Sequence, residues 1–554
     1  MKKERIVKWG FWILLIGLVS IFGAQAFLYI FYGDTWLDET EYLYVGQQIY
    51  ERDLTLYDEI WSRVPPVLHY IYGFSQTLIG PSFEMGRLFS LIFSSLLLIT
   101  IFFTVKKMTQ SRYAGLLAIA LIMLNQKALS FLLRVSPYPL SLLLLSLSIG
   151  VLATKMRDTI KFPLAFFFAS LLMMTRMNLF PYAMVLLVYM LIVAQDKIKT
   201  TVRAMGVSLV TITAVMIKFL IINGKNTLLG IFAPFTIYLY PELFYKNVAK
   251  EPWLSVVYES FKAMNNLKVI LIFLIPLTWW FVQHYIQRRK EHQQHKKKVQ
   301  APTTSRSTWQ SAWFVLWMRE HHLIIFLIAS FFAIFIPHFW ANDVYVFYSL
   351  PPLVIVVSVG LHALIRMIEN AFTKKIVIAW IAGSLVLSLS LFTVLDFSNP
   401  LSEDSDILRA KRSGEIIANL TEPDATVFIA DNEIAQLLTA NRKTFPPMTE
   451  RYYLFSDDNN TNFLRATNRF NMEILNEHLE NESDYVLIQS NRGWLKLNKP
   501  PILENVTKNI QSQLDNQYQH VVDIPNALPK RYAYGNGTLS LYKRVKKAKE
   551  NKKL

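Results

Sequence analysis

Residues 85–107 read MGRLFSLIFSSLLLITIFFTVKK. No charged residue occurs from Leu88 to Val105, while Arg87 stands at one end and Lys106 and Lys107 at the other. A helix needs about 20 apolar residues to cross a bilayer, and basic residues at its ends sit at headgroup level. Such runs recur along the chain. Eleven candidate spans, each about 17–25 residues long, centre near Val19, Ser95, Leu121, Leu145, Phe168, Leu187, Thr211, Ile275, Leu327, Val354 and Val386. The chain is 53% hydrophobic and only 18% charged, too apolar for an ordinary soluble protein of 554 residues. The pattern predicts a polytopic α-helical membrane protein with about 11 transmembrane helices over residues 1–395. A soluble exterior α/β domain follows over 396–542, and a basic, disordered tail over 543–554.

The charge supports this division and gives an orientation. The net charge is +17, and residues 1–395 carry all of it, with 36 Lys/Arg against 19 Asp/Glu; residues 396–554 carry 21 of each. The excess lies in short loops, as in a bilayer protein, and not on a soluble basic face, so no nucleic-acid partner is expected. With the N-terminus in the cytoplasm, the cytoplasmic segments hold 24 Lys/Arg and the exterior loops 10. That is the positive-inside asymmetry. An odd number of spans then puts the C-terminal domain outside the cell, in a multi-pass plasma-membrane protein. Ala24-Gln25-Ala26 resembles a signal-peptidase site, but the apolar run from Phe11 to Tyr32 is too long for a secretory h-region. The chain has no cysteine, which excludes disulfides and thiol chemistry. Five Asn-X-Ser/Thr sequons, at Asn419, Asn459, Asn481, Asn505 and Asn536, all fall beyond residue 395. They suit an exterior location, although an Asn-rich segment yields some by chance. Within that segment, Ile407–Leu420 has helical spacing, and Thr426–Ala430, Asp484–Gln489, His520–Ile524 and Thr538–Tyr542 read as strands.

The loop after the first span begins GDTWLDETEYLYVGQQIYE, residues 33–51. Nine acidic residues occur between Asp34 and Glu84, nearly half the acid of residues 1–395. Tyr42, Val45 and Ile49 fall at helical spacing, so an interfacial helix over Thr40–Tyr50 is predicted. On these residues alone, Asp38 with Glu41 three positions on is a helix-capping signature. A carboxylate is equally able to serve as a general base for a hydroxyl.

Asp38-Glu39-Thr40-x-Tyr42, then Arg63 near Pro65-Pro66, then Gly80 and Arg87 opening the next span, resemble the GT-C glycosyltransferases. Within that group the resemblance is to the dolichyl-phosphate-mannose protein mannosyltransferases and the aminoarabinose lipid A transferases. Tyr345-x-x-Tyr348-x-Leu350-Pro351-Pro352 resembles the aromatic–proline element entering a late span of that family. The resemblance implies an inverting transfer of a sugar from a polyprenyl-phosphate carrier to an acceptor hydroxyl at the outer face. It makes Asp38 the catalytic base, with Glu39 beside it, and needs cations for the charge that develops on the leaving phosphate. Arg63, Arg87, Lys127, Arg134, Arg176 and Lys218 lie at the outer ends of spans and are the candidates. Ionisable groups at that depth default to functional hypotheses, with snorkelling to the headgroups as the plainer explanation. Tyr42, His69, Tyr72, His338 and Tyr345 are candidate cavity-lining residues, or simple packing.

The match has departures. Arg134-Val-Ser136-Pro137-Tyr138 stands where relatives often carry an acid, and there is no WWD-type signature as in oligosaccharyltransferase catalytic subunits. The loop has no close Asp-x-Asp, so no cofactor is required, and a divalent metal is possible without being implied. The expected partners are a polyprenyl-phosphate-linked sugar, membrane lipid and an unidentified acceptor. The competing reading is a transporter or flippase of lipid-linked envelope precursors, which the spans and basic outer ends also suit.

Overall fold

The computed structural model describes residues 2–35, 37–62, 64–239, 267, 270, 322–335, 345–368, 371–392, 405–429, 434–445, 461–466, 471–489, 502–527 and 537–545. The chain opens with α1 (Lys2–Tyr32), α2 (Leu37–Glu51), α3 (Val67–Ile79) and α4 (Phe83–Thr109). Next come α5 (Arg112–Met123), α6 (Gln126–Leu133), α7 (Pro137–Leu152), α8 (Asp158–Thr175), α9 (Phe180–Val193) and α10 (Lys197–Leu239). After α11 (His322–Phe335), a 3₁₀ turn at Tyr345–Ser349 leads into α12 (Leu350–Met367), followed by α13 (Ala371–Phe392).

Five helical stretches among the described residues are long and apolar enough to cross a membrane: Trp9–Tyr32, Phe83–Thr109, Asp158–Thr175, Lys197–Phe232 and Tyr345–Met367. The pair α5 and α6 passes the same test only when taken together and is bent by 83°, the form of a broken span or a re-entrant loop. The bend has a local cause: the Asn125 side chain accepts from the Ala128 N–H at 3.0 Å and so starts a new helix. Ten of the eleven expected span centres fall within described helices, several of which are shorter than a full crossing; Ile275 lies outside the described residues. A similar break occurs at Asn223 in α10, where φ −148° and ψ 76° interrupt the helix. The Asn223 carboxamide accepts from Asn226 N–H at 3.2 Å and donates to Asp58 at 2.9 Å. Side-chain insertion of this kind is an ordinary cause of a kink.

The helix α2 extends the predicted one by a turn at its N-terminus. Asp38 therefore sits inside the first turn and does not cap it from outside. The packing of α2 on α3 is set by two glycines. A Cβ at Gly46 would come within 2.6 Å of the Gly73 Cα and of the His69 carbonyl oxygen. Backbone atoms cannot yield as side chains do. Gly46→Ala is therefore expected to destabilise the protein by about 1–3 kcal/mol or more, through overpacking. The readout is the melting midpoint in detergent, and an unchanged midpoint would refute the close contact.

The predicted helix and all four predicted strands of the C-terminal segment are present. Helix α14 (Asp406–Leu420) begins where the Ser405 hydroxyl accepts from Leu408 N–H at 3.4 Å. The strands β1 (Val427–Ile429), β2 (Tyr485–Gln489), β3 (Tyr518–Ile524) and β4 (Leu539–Arg544) form one sheet in the order β1-β2-β4-β3. The β1–β2 pair is parallel and the other two pairs antiparallel, with a register shift between His520 and Val522. Shorter helices fill in the connections: α15 (Ile434–Ala440), α16 (Thr461–Ala466), α17 (Met472–Glu477) and α18 (Ile502–Gln517). This segment touches the helical body at α2. Tyr44 donates to the Arg442 carbonyl at 3.1 Å and accepts from Thr444 N–H at 2.9 Å, and Gln47 donates to the Asn441 side chain at 2.8 Å. Lys411 pairs with Glu84 at the start of α4.

Candidate functional site

The first turn of α2 is fixed by a buried ion pair. Glu39 and Arg87 both have fully buried side chains. Arg87 Nε and Nη2 donate to the two Glu39 oxygens at 2.8 and 2.7 Å. Its remaining N–H groups reach the carbonyls of Tyr29 (2.5 Å), Gly33 (3.2 Å) and Asp34 (2.7 Å), which end α1. Glu39 also accepts from Val135 N–H at 3.1 Å, in the connection between α6 and α7. One pair therefore ties together α1, α2, α4 and that connection. Burying two charges is costly, and it is tolerated here because every guanidinium N–H has an acceptor.

This geometry corrects two expectations. Arg87 has no N–H left for a phosphate, and Glu39 is a buried counter-ion with no access to an acceptor hydroxyl. Their spacing in sequence gave no sign that they would meet, because the partners are 48 positions apart.

Next to this anchor is an aromatic cluster drawn from four parts of the chain. Tyr138, at the start of α7, stacks on Tyr348 with centroids 4.4 Å apart and rings 16° from parallel. Tyr345 lies 6.3 Å from Tyr348, and Phe131 lies 5.1 Å from Tyr138. Arg176, at the end of α8, donates from Nη2 to the Tyr345 hydroxyl at 3.0 Å and sits 5.4 Å from its ring centroid. Tyr42 is within electrostatic range of Tyr138, and Asp38 within that of Tyr348. Asp38 is half-buried, while Tyr42, Tyr138 and Tyr348 are buried. The Tyr138 hydroxyl has no hydrogen-bond partner among the described residues. Prolines shape both edges of the cluster: Ser136-Pro137 starts α7, and Leu350-Pro351-Pro352 starts α12, where proline is compatible with the first helical turn.

The other candidates fall in different places. Arg134 is buried in the extended connection between α6 and α7; its Nε donates to the Tyr29 hydroxyl at 2.8 Å, and Nη2 bonds to the same oxygen. Arg87 stacks on the same Tyr29 ring, 4.8 Å from the centroid, so Tyr29 links the two arginines. Lys127 and Lys218 are exposed on α6 and α10. His69 is fully buried, with Nε2 2.8 Å from the Ser62 hydroxyl and its ring 5.6 Å from that of Tyr42. Burial pushes its pKa down to about 3, so the ring is neutral and is not a phosphate-binding cation. Tyr72 is also fully buried, bonded to the Ser90 hydroxyl at 2.9 Å and the Ser136 carbonyl at 3.1 Å, and serves packing. Arg63 and His338 lie outside the described residues. Sequence reading missed Tyr29, Tyr138 and Tyr348 as site residues. For the last two the available signal was their place beside the prolines that open α7 and α12. Among the described residues no group of three His, Asp or Glu side chains is arranged to hold a metal ion.

The family model of the dolichyl-phosphate-mannose-protein mannosyltransferases matches residues 63–222. No curated protein matches the sequence. Among solved structures, ArnT from Cupriavidus metallidurans is similar in two states, bound to undecaprenyl phosphate and apo. Each aligns with a TM-score of 0.56 and 11% identity, covering 95% of this chain and 98% of that one. At that identity the likeness is one of fold. The family match over residues 63–222 and the fold likeness are both to proteins of the kind that the loop after α1 resembles.

Proposed function

We propose that this protein is a membrane glycosyltransferase that moves a sugar from a polyprenyl-phosphate carrier to an acceptor hydroxyl at the outer membrane face. The observation that carries the proposal is the position of Asp38. It lies in the first turn of a helix fixed by the Glu39–Arg87 pair, within electrostatic range of Tyr348 in the aromatic cluster that a half-buried Arg176 adjoins. Asp38 takes the proton of the acceptor hydroxyl. The hydroxyl oxygen bonds to the anomeric carbon as that carbon's bond to the phosphate oxygen breaks, and polyprenyl phosphate leaves with the bonding electrons. Attack opposite the leaving group inverts the anomeric centre. Arg176 stabilises the phosphate charge, the group on which an oriented cation acts most strongly. Arg63 shares this role by its match to the family's basic residue beside proline. Tyr345, half-buried beside Arg176, is the ring of this cluster that can meet the sugar, and the buried Tyr138–Tyr348 stack supports it from behind. The polyprenyl carrier is supported by the undecaprenyl phosphate bound to the similar ArnT.

The test is incubation of purified protein with a set of polyprenyl-phosphate sugars, mannose included, reading released polyprenyl phosphate. Release with at least one donor is expected. Arg176→Ala is expected to weaken undecaprenyl phosphate binding about 10- to 100-fold, as for loss of a charge-assisted contact worth roughly 1.5–3 kcal/mol. Movement of lipid-linked sugar across vesicles with no release from any donor would instead establish the flippase reading.

A further inference from the structure

The C-terminal segment meets the helix that carries Asp38 through one buried polar seam. The side of the seam belonging to this segment is the strap 441–444, which is held rigidly from behind. The Arg442 guanidinium donates to Thr421 Oγ1 (2.8 Å) and to the carbonyls of Ala418 (2.8 Å), Thr421 (2.8 Å), Ala440 (2.8 Å) and Asn441 (3.3 Å). It thereby caps the open carbonyls at the end of α14. The strap is also bonded to the sheet, since Val427 N–H donates to the Lys443 carbonyl at 2.9 Å. So braced, it presents the Arg442 carbonyl and the Thr444 N–H to the Tyr44 hydroxyl, which uses both. Tyr44 is 1% exposed. Gln47, one turn on and fully buried, adds its bond to Asn441. The helix α2 is thus fixed at three points: the Glu39–Arg87 pair at its head, the glycine contact with α3, and this seam. Asp38 precedes Tyr44 by six residues, about 9 Å of helix rise.

We propose that the C-terminal segment positions Asp38 for the transfer step through this seam, with Tyr44 and Arg442 as positioning residues. Neither touches the aromatic cluster, so each acts through the placement of α2. The inference rests on the reading of Asp38 as the base.

The full-length protein is assayed with polyprenyl-phosphate mannose for turnover and undecaprenyl phosphate for binding. Tyr44→Phe keeps the buried ring and removes only the hydroxyl. It is expected to lower kcat about 10- to 100-fold, as for a misplaced reacting group, while donor KM and undecaprenyl phosphate affinity stay within about twofold. Arg442→Ala is expected to lower kcat similarly, and the double variant no further, because both changes break one path. Hydrogen exchange over residues 37–41 is expected to quicken in both single variants, a readout that needs no active donor. Wild-type kcat in Tyr44→Phe would overturn the proposal, as would effects that multiply in the double variant or a loss confined to KM. Should Arg442→Ala fail to fold, Tyr44→Phe decides alone. An inactive Asp38→Asn with a fully active Tyr44→Phe refutes the seam and leaves the proposed function standing; an active Asp38→Asn refutes that function itself.

Discussion

Asp38→Asn is expected to leave a folded, membrane-inserted protein that no longer releases polyprenyl phosphate from its sugar donor. The carboxamide has nearly the shape of the carboxylate, and Asp38 is neither the buried counter-ion of Arg87 nor a contact of the seam at Tyr44. What is lost, in the proposed mechanism, is the group that accepts the hydroxyl proton. Positioned general bases contribute on the order of 10²–10⁴-fold. Turnover should fall by that factor, while the melting midpoint and undecaprenyl phosphate affinity stay near those of the parent. Parent-level turnover would remove Asp38 from the reaction.

Breaking the Glu39–Arg87 pair is expected to act on the fold. Arg87→Ala leaves a carboxylate with no exposed surface and, among the described residues, only the Val135 N–H as partner; it also takes their side-chain donor from the Gly33 and Asp34 carbonyls just past α1, while the Tyr29 carbonyl keeps the Gly33 N–H. Removing one partner of a buried pair costs about 3–5 kcal/mol. That should appear as a sharply lowered melting midpoint or as loss of monodisperse protein from detergent. Removing both charges together, as in Glu39→Leu with Arg87→Met, should cost less than Arg87→Ala, because no buried charge is then left alone. A stable Arg87→Ala whose only defect is weaker undecaprenyl phosphate binding would return Arg87 to the phosphate site and contradict the structural role.

The contrast between the two acids at positions 38 and 39 shows what was legible in the sequence. Both stand in one short motif, and the sequence offers no way to tell the proposed base from the anchor. Their side chains leave successive positions of a helix in different directions, about 100° apart. Only the arrival of α4 and of the α6–α7 connection decides which one is enclosed. The same holds for the five basic candidates among the described residues. Lys127 and Lys218 are on exposed faces, Arg87 is saturated, Arg134 is bonded to Tyr29, and Arg176 reaches Tyr345 across 169 positions. The helix and four strands of the C-terminal segment were legible because period and flanking turn residues are local properties.

The run at 85–107 determined by itself that this chain has bilayer-length helices, since an uncharged stretch of that length has few other stable environments. The loop after the first helix determined the family to compare it with. Tertiary structure alone decided which member of each charged set is buried against a partner and which remains beside the aromatic cluster. It also decided that a segment some 400 positions away would hold the helix that carries Asp38. These are contacts between residues distant in sequence, made when helices pack, and no local pattern encodes them.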